Sequence, residues 1–491
     1  MLLRRFYDTG LAQASYLIGC PASGEALVVD ANRDVEQYMR AAAEEGLSVT
    51  HVTETHIHAD FVSGSRELAH RTGARLLLSG EGGPDWQYAF AAEAGATLLH
   101  DGDGFKVGNL DFEVLHTPGH TPEHLTFLIT DTPATDQPIG AVTGDFVFVG
   151  DVGRPDLLEK AAGMSGTMEA SARLLYRSVQ RFRQLPDHIQ IWPGHGAGSA
   201  CGKALGAVPF STLGYEKIAN WGFNVHDEDE FVRTVLAGQP EPPRYFAEMK
   251  RINREGPALL GSIQRPERLP HARAQTLLDE HAIVIDTRTA AEYAARHMPG
   301  TINIPLTRSF ITWAGWLVPY DRDFYLIVDD DCPHCANEAG RDLAMIGLDR
   351  MMGYLGSGAL DAWAGAGREL GTVPQISAGE LAERLSLGDV TVLDVRGHAE
   401  WDAGHLPGVS NLPVGYLESR LDEVPRNRTV VVHCQSGSRS AIAASVLRAR
   451  GLHNVVNLAG GFVAWQAAGL PVEHTALLDA SGAHPTSGNV H

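Results

Sequence analysis

An α/β protein of several domains is what this sequence predicts, and three observations predict it. Residues 1–240 alternate short Val-, Leu- and Ile-rich runs with segments of helical spacing. A proline-rich stretch, 241–270, reads as a linker across a domain junction. Beyond it the chain repeats itself. Asp286, Arg288, Glu292, His297, Pro299, Gly300, Asn303 and Pro305 recur as Asp394, Arg396, Glu400, His405, Pro407, Gly408, Asn411 and Pro413, at a constant offset of 108 residues. The repeats occupy 271–370 and 374–475, and a tail of Ala, Ser, Gly and His, 476–491, is expected to be flexible.

Composition bounds the answer. At 491 residues, with 44% hydrophobic and 20% charged content, the chain has room for about three ordinary globular domains. Its 39 basic and 60 acidic residues give a net charge of −21, which argues against nucleic acid and anionic membrane surfaces as partners. No run of about 18 apolar residues occurs, so no span is expected. The N-terminus M-L-L-R-R-F-Y-D lacks a signal-like apolar stretch, which sets the expectation of a cytoplasmic protein. Five cysteines, an odd number in a large chain, argue against a disulfide scaffold.

In the first 240 residues, Y-L-I-G-C, A-L-V-V-D, V-T-H-V-T-E-T-H and A-R-L-L-L-S read as buried strands, and 32–46 and 165–183 as helices. Histidines gather at strand ends and in the loops that follow, where such folds place chemistry. The blocks are T-H-I-H-A-D-F from Thr55, T-P-G-H-T-P-E-H from Thr117, T-G-D from Thr143 and P-G-H from Pro193. Their order resembles the metallo-β-lactamase superfamily, which implies an αββα sandwich with metal at one edge of the two sheets. That family's usual pattern ends H-x-H-x-D-H, and here the last position is Phe61. A phenyl ring cannot bind metal, so a dinuclear centre with Asp60 and His195 is not expected. His56, His120 and Asp145 remain as two imidazoles and a carboxylate, a set that leaves positions open and suits Fe(II) and dioxygen. Zinc could take the same ligands but is redox-inert. The three positions match the iron ligands of the persulfide dioxygenase family, which this domain resembles most, and imply one Fe(2+) per chain. His58, Asp60 and His195 then orient ligands and substrate or bind weakly. His116 and His124 read as loop histidines satisfied by backbone or water. Cys201, six residues after His195 in a glycine-rich loop, reads as a thiol near the metal, favoured as thiolate. Cys20 reads as a core residue.

Each repeat opens with a strand, A-I-V-I-D-T-R or V-T-V-L-D-V-R, and continues as a βα unit with a parallel sheet. In the second, Cys434 ends the strand T-V-V-V-H and begins the loop Gln435, Ser436, Gly437 and Ser438, closed by Arg439. Backbone N–H groups of a tight loop at a helix N-terminus stabilise an anion at its centre, and Arg439 adds a fixed charge. Four residues between Cys434 and Arg439 make a cradle for a persulfide. The loop and its flanking motifs resemble the rhodanese family of sulfurtransferases, with Cys434 and Arg439 as catalytic residues. Asp394, Arg396, Glu400 and His405 read as fold-holding. In the first repeat, matching Gly347 to Gly451 places Asp330 opposite Cys434. A carboxylate cannot take up sulfane sulfur, so this copy is expected to be inactive. Cys332 and Cys335 sit nearby as C-P-H-C, read as incidental thiols rather than a redox pair or half of a zinc site.

Together these resemblances imply an iron dioxygenase that oxidises a low-molecular-weight persulfide to sulfite, coupled to sulfur transfer that forms or consumes thiosulfate. A homodimer or homotetramer is common among similar proteins. The carrier is open among glutathione, coenzyme A, bacillithiol and free sulfide-derived persulfides. The rivals are a zinc thioester hydrolase of glyoxalase II type, which Phe61 disfavours, and a persulfide carrier or sensor.

Overall fold

The computed structural model describes residues 1–157, 166–199, 201–202, 205–239 and 241–474. The tail 476–491 lies outside the described residues. The chain divides into two compact units, one of residues 1–269 and 306–354, the other of 270–305 and 355–491.

The first unit is built on two six-stranded sheets. One runs in chain order, β1(Leu2–Asp8), β2(Gln13–Cys20), β3(Glu25–Val29), β4(Ser48–Thr53), β5(Arg75–Ser79) and β6(Thr97–Leu99). The other comprises β7(Gly104–Val107), β8(Leu110–His116), β9(Leu125–Asp131), β10(Gly140–Gly144), β11(Gln190–Pro193) and β12(Ser211–Thr212), again in chain order. All eight residues of β2 are buried, so the strand has no solvent face and its alternate side chains feed two cores. Tyr16 and Ile18 point into the layer between the sheets, with Phe112, Phe127, Val142 and Trp192. Leu17 joins Val28, Val52 and Leu76 on the outer face, beneath Tyr38 and Leu68 of the helices Glu36–Glu44 and Ser65–Thr72. The second sheet's outer face packs Leu128, Ala141 and Ile191 against Leu175, Val179 and Phe182 of the helix Met168–Phe182. This is the expected αββα sandwich.

Residues 241–270, expected as a linker, hold the helix Tyr245–Glu255, whose buried face is Tyr245, Phe246, Met249 and Asn253. Its prolines fall before and after the helix, where proline does not interrupt it. The strands β13(Ile283–Asp286) and β14(Ile302–Asn303) pair in parallel, and β15(Phe324–Val328) and β16(Met351–Gly356) follow. The second repeat contains β17(Gln375–Ile376), β18(Val390–Asp394), β19(Ser410–Asn411), β20(Thr429–His433) and β21(Val455–Leu458). They form one sheet in the order β17-β21-β20-β18-β19, parallel at every pairing. Non-sequential order with parallel pairing requires crossover helices, and Ser438–Ala449 is one of them, buried through Ile442, Val446 and Leu447. No helix among the described residues is long and apolar enough to cross a membrane.

Candidate functional site

The first site forms where β4 and β10 end. The chain leaves β4 at Thr53, and Asp30 at the end of β3 catches it, accepting from the Thr55 N–H at 2.7 Å and from its hydroxyl at 3.0 Å. With its one proton given to Asp30, the Thr55 hydroxyl accepts from Nδ1 of His56 at 2.9 Å. His120 donates from Nδ1 to the Arg154 carbonyl at 3.1 Å. Both rings therefore keep an Nε2 lone pair. Burial, aided for His56 by neighbouring histidines, holds the pKa of His56 well below the ordinary imidazole value and lowers that of His120, so both are neutral. The two Nε2 atoms lie 4.0 and 3.5 Å from Oδ2 of Asp145. Both carboxylate oxygens of Asp145 are buried without a hydrogen-bond partner. A Cβ on Gly194 would stand 2.7 Å from Oδ1, so only glycine leaves that oxygen its space. Two neutral imidazoles and a bare carboxylate, all buried and with donor atoms within 4.8 Å of one another, fit a divalent metal.

The surrounding residues hold this trio. His124 stacks on His56 at 5.1 Å, and its Nε2 accepts from the Asp145 backbone N–H at 3.1 Å while Nδ1 meets Thr117 at 2.9 Å. It lies in the loop before β9 and is satisfied there by a backbone N–H, as expected, and that bond, made while fully buried, positions Asp145. Asn253 donates to the His58 carbonyl at 2.8 Å and to the Phe61 carbonyl at 2.7 Å, pinning the H-x-H-x-D-F loop. Phe61 is fully buried, its ring 4.4 Å from His58. His58 turns Nε2 to Asp30 at 3.1 Å. Burial opposes charge on His58, but the carboxylates of Asp30, Glu54 and Asp60 outweigh it and raise its pKa to about 9. It is a cation held by carboxylates, unlike His56.

A second group lies beside the first. Asp60, His195 and Cys201 have donor atoms within 4.8 Å of one another. His195 donates from Nδ1 to the Ala12 carbonyl at 3.0 Å and sets Nε2 3.1 Å from Asp60 and 3.5 Å from Asp145. Burial opposes charge on His195 too, but the neighbouring carboxylates, Asp145 foremost, outweigh it and hold its pKa well above the usual range. Burial, joined by the Asp145 charge, pushes the Cys201 thiol up to about 12. The thiolate expected of this loop supposes a cationic metal alongside, whose charge acts against that rise. Burial works to raise the Asp60 pKa, but His195 outweighs it and lowers it, so a metal here would displace protons only from His195 and Cys201.

The other site opens from β20. Cys434 is buried, and its Sγ accepts from the Gly437 N–H at 3.1 Å, at the start of the helix Ser438–Ala449. A Cβ on Gly461 would stand 2.4 Å from the Cys434 carbonyl, so glycine is required where that segment closes on the loop. Glu400 grips Arg439 through two hydrogen bonds, 2.5 and 2.6 Å, and Arg396 reaches Gln435 at 3.2 Å. Glu400 holds its own turn through the Gly397 N–H at 3.3 Å, as a fold-holding residue would, and also binds the loop's fixed charge. Asp394 keeps the fold-holding role, meeting Arg396 at 2.6 Å in a buried pair. Ser436 and Ser438 complete the loop.

The incidental reading of Cys332 and Cys335 is also corrected. They are joined as a disulfide, since three-residue spacing across a helix start brings the sulfurs together. Cys20, Cys201 and Cys434 are free and buried.

Residues 8–195 match the metallo-beta-lactamase superfamily, and residues 271–366 and 377–468 match the rhodanese-like domain. A metallo-beta-lactamase of Staphylococcus aureus subsp. aureus COL is 44% identical, with a TM-score of 0.67 over 72% of this chain and 99% of its own. A sulfurtransferase of Allochromatium vinosum is 39% identical over 101 residues, 20% of this chain and 94% of its own. A hydroxyacylglutathione hydrolase of Methylobacterium is 32% identical over 179 residues, 36% of this chain and 60% of its own.

Proposed function

We propose that this chain, which belongs to the metallo-β-lactamase superfamily and carries two rhodanese-like domains, is a mononuclear iron dioxygenase for the persulfide of a low-molecular-weight thiol, joined to a sulfurtransferase. The observation that carries the reading is the buried trio His56, His120 and Asp145, with its lone pairs and bare oxygens unspent. Ferrous iron in that trio supplies one-electron redox chemistry and open coordination positions. The protein's part is positioning. His58, charged and with Nδ1 unpartnered, is a donor for an anionic persulfide. Asn253 and His124 keep loop and carboxylate in register. Persulfide, dioxygen and water would give thiol, sulfite and two protons. In the second repeat, a terminal sulfur on Cys434 sits at a helix N-terminus beside Arg439. Sulfite taking that sulfur leaves as thiosulfate and returns Cys434 as thiolate, and the reverse consumes thiosulfate.

Anaerobic purification, metal analysis and oxygen consumption with glutathione persulfide test the reading. One iron per chain and persulfide-dependent oxygen uptake are expected. His120→Ala loses both, and iron and uptake retained in that variant would refute the ligand assignment. Cys434→Ser keeps oxygen uptake.

One observation favours a rival. Asp60, His195 and Cys201 offer a sulfur where Phe61 withholds a nitrogen, so a two-zinc thioester hydrolase has donors for its second ion. Two zinc ions per chain, S-lactoylglutathione hydrolysis and no oxygen uptake would establish it.

A further inference from the structure

We propose that Cys332 and Cys335 are a thiol–disulfide exchange site for low-molecular-weight thiols, an activity independent of the metal centre's reaction. The two are joined three residues apart at the mouth of the helix Cys335–Met345. Both are half-buried, and Pro333 and His334 between them are exposed, so a small thiol reaches the bond from solvent. Cys335 is the first residue of this helix, its own N–H turned back to the Cys332 carbonyl at 3.2 Å, and the positive end of the helix dipole favours a leaving thiolate there. The His334 ring nitrogens lie 3.6 and 3.7 Å from Sγ of Cys332, within reach to give or take the proton. Three features therefore converge on one loop.

A structural role explains the bond less well. A cross-link between residues three apart closes so short a loop that it removes little freedom from the unfolded chain. The helix is anchored through buried Ala336, Ala339 and Leu343 without it. The second repeat builds the same strand, loop and helix around a single cysteine, Cys434. The flanking acids do not crowd the pair uncompensated, since Asp330 is bound by Arg268 and Asp329 accepts from the Asp331 N–H.

The exchange balances in two steps. A thiolate attacks one sulfur, the protein S–S bond breaks, and the other cysteine leaves as thiolate and takes a proton. A second thiol then attacks the mixed disulfide, releasing a symmetrical small disulfide and the second protein thiol. Two electrons pass from two small thiols to the protein, and the small disulfide reverses the process.

The full-length protein, equilibrated in glutathione buffers from reduced to oxidised, acid-quenched and labelled with a maleimide polymer, tests this without denaturation. Two thiols are expected to appear together as the buffer becomes reducing. Mapping of the labelled peptide assigns them to Cys332 and Cys335 in the wild-type protein, so no variant need fold. Cys335→Ser is expected to trap a glutathione adduct on Cys332. A bond that stays closed in every native buffer and opens only after denaturation would overturn the proposal. So would stoichiometric zinc binding by Cys332, His334 and Cys335 that prevents the bond from re-forming in oxidised glutathione.

Discussion

In both repeats an aspartate at a strand end, Asp286 of β13 and Asp394 of β18, grips an arginine two residues on, Arg288 and Arg396, at 2.6 Å in each. An asparagine ties the same turn in each, Asn303 to the carbonyls of Asp286 and Arg288, Asn411 to those of Asp394 and Arg396. Even the histidines stack alike, His297 on Tyr293 at 4.1 Å and His405 on Trp401 at 3.7 Å. The copies part at the glutamates. Glu292 caps its own helix with Thr289, while Glu400 accepts from the Gly397 N–H at 3.3 Å and also binds Arg439. The shared motif residues thus maintain a common frame, and the two copies differ in the loop, which holds Cys434 in one and Asp330 in the other.

The largest expected difference between the copies is chemical. Cys434→Ser abolishes turnover of thiosulfate with cyanide, and Asp330→Ala, at the matching place in the first repeat, leaves it unchanged. A loss in the second variant would break the assignment of sulfur transfer to one copy. Next in size is stability. Asp286→Ala and Asp394→Ala each strand a buried arginine, at a cost of about 3–5 kcal/mol, read by urea melts. Unequal costs would show that the frames are not equivalent.

Smaller effects sharpen the picture. Burial works to raise the Glu400 pKa, but the hydrogen bonds and charge of Arg439 outweigh it and hold it below the usual range. Glu400 therefore competes as an anion for the guanidinium that thiosulfate needs, so Glu400→Gln is expected to lower KM for thiosulfate several-fold with little change in kcat. A raised KM would mean that Glu400 serves to aim Arg439. Finally, burial lowers the His297 pKa to about 4. Between the ordinary imidazole value and about 4 the unfolded chain binds more protons at this residue than the folded one. Stability should then fall on acidification across that window and level off below it. His297→Gln is expected to flatten that limb in urea midpoints measured against pH.

The sequence by itself determined the donor types and their local spacing. Histidines two apart after a strand, a cysteine and arginine bounding a small-residue loop, and a repeat of motif residues are short-range patterns, and local geometry follows from them. The alternating apolar runs of β2 to β5 likewise prescribed buried strands. Only the tertiary structure decided which distant groups meet. Asn253 reaches Phe61 across 192 residues, from a helix hidden between prolines. Asp30 and His124 orient the metal trio, Cys201 completes a second donor group, and Glu400 finds Arg439. Each is a polar residue of ordinary sequence context whose partner is chosen by chain crossing. Periodicity encodes which face is buried, and carries no record of what is buried against it.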